Sequence, residues 1–260
     1  MKTSLIITTY NRPDALYLVL KSIEIQTVLP DEVIIADDGS DNKTKDTIKK
    51  FSKSSNLNLI HSWQPDEGFR LARSRNNALS VSTGDYIIII DGDTILDKNF
   101  IYDHIVTSRP DCFISGSRVL LDEHATKKII DTQHFEINLS SKGLKNKSKA
   151  LRFPILRNLL SFSHNRIKGI RGCNMSFYRK DCFEINGFNN DFEGWGREDT
   201  EFIVRMFKKG VKRKNLKFGG IQYHLWHGIE VDKSLKRNDE ILKKTYESNN
   251  FFCQNGLSNL

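Results

Sequence analysis

Two places in the sequence put carboxylates where chemistry could use them. The apolar run of "IIIIDGDTIL" ends in Asp91-Gly92-Asp93, and in "NDFEGWGREDTEF" the neighbours Glu198 and Asp199 open a helical pattern just after a tryptophan set between two glycines. Two acids emerging together with no basic residue beside them repel each other, and a divalent cation relieves that repulsion; carboxylate oxygens suit Mg2+ or Mn2+. Asp-Gly is equally a turn-forming dipeptide. Glu198 or Asp199 could take a proton from a hydroxyl, or could be the acids that any helix N-terminus favours. The exposed N–H groups of a first turn also stabilise the anion, which weakens the base.

Polar groups end two other apolar runs. "ITTYNRP" offers Thr8, Tyr10 and Asn11, enough to hold a base and a ribose, and "IADDGS" offers paired acids whose carboxylates could accept from a base N–H or a ribose hydroxyl. Either alone fits a helix N-cap or an Asx turn. Three such ends on one sheet fit a nucleotide–metal site.

The elements that must position these groups alternate over the first 93 residues. "TSLIITT", "DEVIIADD", "NLNLIHSW" and "DYIIIID" read as strands, separated by the helical patterns "RPDALYLVLKSIEIQ", "KDTIKKFSKS" and "FRLARSRNNALSVS". Near-continuous apolar strands alternating with helices imply a parallel sheet covered on both faces. Ligands bind at the carboxyl ends of such strands, where residues 8–11, 37–40, 64–70 and 91–93 meet. The second half is less regular. It predicts a strand within 113–121, a long excursion over 122–168 and a strand in "GIRGCNMSFYR". A helix over 198–209 then carries Ile203, Met206 and Phe207 on one stripe, followed by a strand near "GGIQYHLWH", a charged helix and a loose tail.

A chain of 260 residues that is 38% hydrophobic and 28% charged is an ordinary globular protein. Its N-terminus has too few apolar residues together for a signal peptide, and "YIIII" is far too short for a membrane span. The four cysteines have no CxxC spacing and predict free thiols in a reducing cytoplasm. The net charge of +8 is concentrated: residues 141–168 hold eight Lys/Arg and no acid, and residues 208–217 hold six more, so the remainder is net acidic. Such patches fit an anionic partner or a solvated basic loop.

The ordered set "TTYNRP", "ADDGS", "DEGFRLARSRNNAL" and "GDYIIIIDGD" resembles the nucleotide-sugar-binding half of family 2 glycosyltransferases, whose fold is called GT-A. "GCNMSFYRKDCFEINGFNNDFEGWGREDTEFIVRMFKKG" looks like the acceptor half shared by bacterial chondroitin polymerases and animal β-1,4-galactosyltransferases. The resemblance covers roughly residues 3–230 and lapses over 122–168. It implies an α/β fold: a Rossmann-like, nucleotide-binding mixed sheet with helices on both faces, in a single domain. Residues 1–93 would be the nucleotide-sugar half, 94–230 the acceptor half, and 231–260 a C-terminal helix and tail. The implied reaction is a metal-dependent, inverting transfer of a hexose or N-acetylhexosamine from a UDP-sugar. The acceptor would be a hydroxyl of a glycan or lipid-linked saccharide, in bacterial surface polysaccharide or lipopolysaccharide synthesis.

Carried over by position, Thr8, Tyr10, Asn11 and Asp38 would hold uracil and ribose, with Asp38 reading the base. Arg75 would lie by the sugar or diphosphate and Asp91 by the ribose or sugar. Asp93 would ligate Mn2+ (or Mg2+), completed by His224 or His227; the Tyr-His pairing favours His224, and a buried structural role is the alternative for either. Asp199 would be the base, with Glu198 beside it. Trp195 would stack on a sugar ring that Gly196 admits to the backbone, with Arg197 and Asn174 also on the acceptor. Relatives commonly have glycine at the position of Arg197, where a cation could clash with a sugar or bind an acceptor phosphate or carboxylate. A nucleotidyltransferase would share the sheet and metal site but leave "WGRED" unexplained, and a sugar-nucleotide-binding protein without transferase activity would leave both acid motifs unexplained. The reading places the protein in the cytoplasm, peripheral on the inner membrane face, with the basic, leucine- and phenylalanine-dotted 141–168 stretch against anionic lipid and no nucleic acid partner.

Overall fold

The structure, a computed structural model, describes residues 1–228 and 235–260. The expected boundary near residue 230 lies outside the described residues. The first half alternates as its pattern demands: β1 (Thr3–Thr9), α1 (Pro13–Glu24), β2 (Glu32–Asp37), α2 (Asn42–Ser54), β3 (Leu59–Trp63), α3 (Leu71–Val81) and β4 (Tyr86–Asp91). Pro13 starts α1 with a φ already suited to a helix, and the Asp41 carboxylate caps α2 by accepting from Lys43 N and Thr44 N. Every residue of β1 and β2 is buried, because helices cover both faces. Each of the isoleucines Ile87 to Ile90 is fully buried, a contribution of roughly 1.5–3 kcal/mol apiece.

The chain continues through β5 (Thr94–Leu96), α4 (Phe100–Thr107), β6 (Cys112–Ser115), β7 (Val119–Leu121), α5 (Glu123–Thr132), β8 (Leu144–Lys145), α6 (Pro154–Leu160), β9 (Ser163–His164), β10 (Asn174–Tyr178) and α7 (Arg179–Glu184). It ends with α8 (Glu198–Lys209), β11 (Lys212–Asn215), β12 (Gln222–His224) and α9 (Leu235–Glu247). The main sheet runs β3-β2-β1-β4-β10-β6-β11-β9. Its first four strands are parallel, and β10 then joins β4 antiparallel, Asn174 opposite Ile90. One apolar layer packs between this sheet and α3, α7 and α8, the other between the sheet and α1, α2 and α4. A smaller sheet, β5-β12-β7-β8, lies beside it.

Three expectations change. The single strand within 113–121 is two strands in different sheets, separated at Gly116, where a Cβ would lie 2.2 Å from Asn174 Oδ1. The 122–168 excursion contains α5, β8, α6 and β9. The tail is not loose: Cys253 N donates to Ile185 O, Leu257 N to Asn186 O, and Asn186 Nδ2 to Cys253 O at 2.7 Å. The helix over 198–209 is observed with those bounds, Ile203 and Met206 buried and Phe207 packed against the same core. Gly210 ends it at φ +99, its N–H and that of Val211 closing on Phe207 O and Met206 O.

Candidate active site

Register places the polar strand ends together. Thr8 pairs with Asp91 across β1 and β4, and its hydroxyl donates to Asp91 Oδ1 at 3.2 Å. Gly92 then turns under the end of β1, its N–H on Thr8 O at 2.7 Å, where a Cβ would collide with that same oxygen. This close approach needs glycine, and it carries Asp93 forward to the second sheet. There β12 pairs antiparallel with β5, His224 opposite Thr94, and Leu225 N donates to Asp93 O at 2.9 Å.

Both candidate histidines therefore reach one carboxylate. His224 Nε2 lies 3.6 Å and His227 Nε2 3.4 Å from Asp93 Oδ2, and one ligand atom from each of the three residues lies within 4.8 Å of the others. Asp93 Oδ1 is buried with no hydrogen-bond partner among the described residues, a costly arrangement for a carboxylate oxygen unless a cation meets it. Burial raises the Asp93 pKa, against the pull of His227 and of Arg12 and Arg118. It also raises that of Asp91, with Asp93 adding to the shift and Arg75 opposing it. Burial, with Arg118 nearby, pushes His224 down to about 4, so its imidazole is neutral and its lone pair free at neutral pH. An orphaned carboxylate oxygen, crowded acids and two imidazoles fit a divalent cation. The donor set suits Mn2+ better than Mg2+, whose sites are built from oxygen.

At the ends of β1 and β2, Asp38 is held by Gln64 Nε2 at 2.5 Å and by Arg70 N at 2.8 Å. Burial nevertheless raises its pKa to about 6. Tyr10 is half exposed, its hydroxyl donating to Asp66 Oδ2 at 3.0 Å. Asn11 accepts from Asp41 N and, through its own N–H, donates to Ser40 Oγ. Gln64, Asp66 and Arg70 come from the 64–70 loop, whose place at the edge was predictable from the strand order although its individual contacts were not.

Arg75 lies enclosed between α3 and α8. Its side chain is 2% exposed and its charge is directed at two carboxylates: Nη1 donates to Glu198 Oε1 at 3.0 Å, and Nη2 lies 3.9 Å from Asp91 Oδ1. Glu198 is enclosed with it. Only 8% exposed, it is bound to Arg75, and its pKa is raised by burial and then by Asp199. Asp199 is half-buried, accepting from Gly172 N at 3.0 Å and from the Thr200 hydroxyl. Gly172 is also unforeseen; a Cβ there would meet Arg75 Nη2 at 2.7 Å.

The loop over 193–197 docks on the parallel first half and on α9. Glu193 pairs with Arg70 and Arg237, Gly194 N donates to Phe69 O, and Gly196 O accepts from the buried Asn238 on α9. Trp195 is exposed. Arg197 has φ +79, in the left-handed region that favours glycine, and its Nε donates to Asp239 Oδ1 at 2.6 Å. Asn174 is fully buried, its amide donating to Ser117 O and Gly220 O and its oxygen bonded to His104. Arg12 and Arg118, which flank Asp93 electrostatically, carried no signal in the sequence beyond being lone cations near polar strand ends.

A parallel nucleotide-type half, an antiparallel extension and a carboxylate–imidazole cluster at the strand ends define a GT-A fold. Residues 4–183 match the family described as glycosyl transferase family 2, and residues 160–228 match that described as the N-terminal domain of galactosyltransferase. The chain belongs to glycosyl transferase family 2. The family match continues through 122–168, where the motifs give no guide. The chain is 27% identical over 237 residues to chondroitin synthase of Escherichia coli, covering 85% of this chain and 34% of that protein. It is 26% identical over 246 residues to hyaluronan synthase of Pasteurella multocida, covering 85% and 24%. It thus spans about a third or less of the length of these relatives. Among solved structures, S. aureus TarS in complex with UDP-GlcNAc is alike in fold, with a TM-score of 0.63 at 16% identity over 94% of this chain and 66% of that one.

Proposed function

We propose that the chain is a metal-dependent, inverting glycosyltransferase. It takes a hexose or N-acetylhexosamine from a UDP-sugar and passes it to a hydroxyl of a glycan or lipid-linked saccharide during bacterial surface polysaccharide or lipopolysaccharide synthesis. The observation that carries this reading is the Arg75 guanidinium, which holds Glu198 at 3.0 Å and stands 3.9 Å from Asp91. It joins the acids suited to an acceptor with those suited to a donor. The chondroitin and hyaluronan synthases among the relatives support a polysaccharide product, and the TarS complex supports a UDP-sugar donor.

Asp38, with Thr8, Tyr10 and Asn11 around it, accepts from the uracil imide and orders the ribose. Asp91 meets the ribose or sugar. Asp93, His224 and His227 hold Mn2+, which when bound neutralises charge on the leaving diphosphate. Trp195 offers its ring to the acceptor sugar. Asp199, oriented by Gly172 N, takes the proton of the attacking hydroxyl. Attack from the face opposite the leaving group inverts the anomeric centre, so an α-linked donor gives a β-linked product. The test is UDP release from a panel of UDP-sugars with Mn2+, by the wild type and by Asp199→Asn. Release that Asp199→Asn matches would overturn the assignment of the base.

A further inference from the structure

Helix α6 presents its side chains the wrong way round for a helix facing water. Ile155 (77% exposed) and Leu159 (61%) stand one turn apart on its outer side, flanked by Leu156, Phe153 and Phe162 (65%), while Arg157 is buried on the inner side. The reversal has a cause. The Arg157 guanidinium binds the fully buried Asp103 of α4, whose carboxylate also takes Arg152 in a two-pronged pair at 3.0 and 3.1 Å. Two of the eight cations of 141–168 are therefore consumed inside the fold.

The other six, Lys142, Lys145, Lys147, Lys149, Arg166 and Lys168, are all exposed. No acid lies anywhere between residues 137 and 180 to balance them. An apolar ridge on a stretch that carries six exposed cations and no acid limits what can cover it. A second copy of the same face would set like charges against each other. A nucleic acid would leave aliphatic Ile155 and Leu159 with nothing to stack on. A surface carrying anionic groups above a hydrocarbon layer satisfies both features at once.

We propose that this face docks on an anionic phospholipid bilayer, with Phe153, Ile155, Leu156, Leu159 and Phe162 entering the headgroup–acyl boundary and the six cations meeting the lipid phosphates. The Asp103 carboxylate that anchors α6 also accepts from Gly220 N at 3.0 Å, in the segment that leads into β12 and His224, and Phe153 N donates to Phe218 O. The docking face and the Asp93 cluster are thus fastened to one frame, so docking would set the orientation of the cleft above the membrane. The inference does not depend on the reaction proposed above.

Vesicle flotation tests it. The wild type should float with phosphatidylcholine vesicles containing phosphatidylglycerol and stay behind with pure phosphatidylcholine or in high salt. Ile155→Ser/Leu159→Ser/Phe162→Ser, and separately Lys145→Glu/Lys147→Glu/Lys149→Glu, should each lower the bound fraction about tenfold or more. All six positions are exposed, so unchanged thermal unfolding serves as the control for folding. Wild type that ignores phosphatidylglycerol vesicles would overturn the proposal, as would both variants floating like wild type. So would a dimer, seen by sedimentation, that the apolar variant breaks while vesicles are not bound.

Discussion

Arg75 and Glu198 meet through Nη1 and Oε1 at 3.0 Å, both side chains buried, at the seam between α3 of the nucleotide half and the first turn of α8. The same guanidinium stands by Asp91, packs over the Phe188 ring at 5.2 Å to its centroid, and forbids any side chain at Gly172. Removing one partner of a buried pair leaves the other uncompensated, which costs about 3–5 kcal/mol. Arg75→Leu should lose stability of that order in urea unfolding.

Asp38 gives the proposed nucleotide site a pH dependence of defined sign. Its pKa is raised from the ordinary carboxylate range to about 6, so its charged form is the one the free fold disfavours. The stability this lends is present at low pH and lost as pH rises through about 6; wild type should lose ground to Asp38→Asn over that range. Donor binding needs the opposite state, a carboxylate that accepts from the imide. UDP affinity should therefore fall below pH 6, approaching about tenfold per unit, and Asp38→Asn should bind weakly with no such slope. Calorimetric titration across that range reads both.

His104 behaves in the opposite sense. Buried against Asn174 and Ser176, it is pushed down to about 4 by burial. A base whose folded pKa is lowered contributes stability above its ordinary value near 6.5, lost as pH falls towards 4. Thermal unfolding should show a decline of at most about 1.4 kcal/mol per pH unit from this group, reduced in His104→Gln.

Arg197 separates acceptor recognition from folding. Its left-handed backbone costs roughly 1–2 kcal/mol that glycine would not. Its half-exposed pair with Asp239 returns less than about 1 kcal/mol. Arg197→Gly should therefore unfold at or slightly above the wild-type denaturant midpoint. A fall in turnover of more than about tenfold in that variant would then report a contact between Arg197 and the acceptor.

Strands β1, β2 and β4 were legible because both faces of each are buried and the pattern is uninterrupted, β3 at the partly buried sheet edge because it continues the alternation, and α8 because its acids, apolar stripe and terminal glycine all agree. The break at Gly116 was not, since it depends on Asn174, which lies 58 positions further along. The short β8 and β9 hold two residues each and exist only through distant partners. Within the cleft, residue types pointed to Asp93, His224 and His227, which lie together. The burial that pairs Arg75 with Glu198 and Asn174 with His104 comes from distant elements and left no mark on the local pattern.

The cluster of Asp93, His224 and His227 is where the account is most exposed to a direct measurement: calorimetric titration of UDP into wild type and Asp93→Ala, each with and without Mn2+. UDP binding to wild type should strengthen markedly with Mn2+, and binding to Asp93→Ala should be weak and indifferent to the metal. UDP binding of equal strength in all four titrations would contradict it.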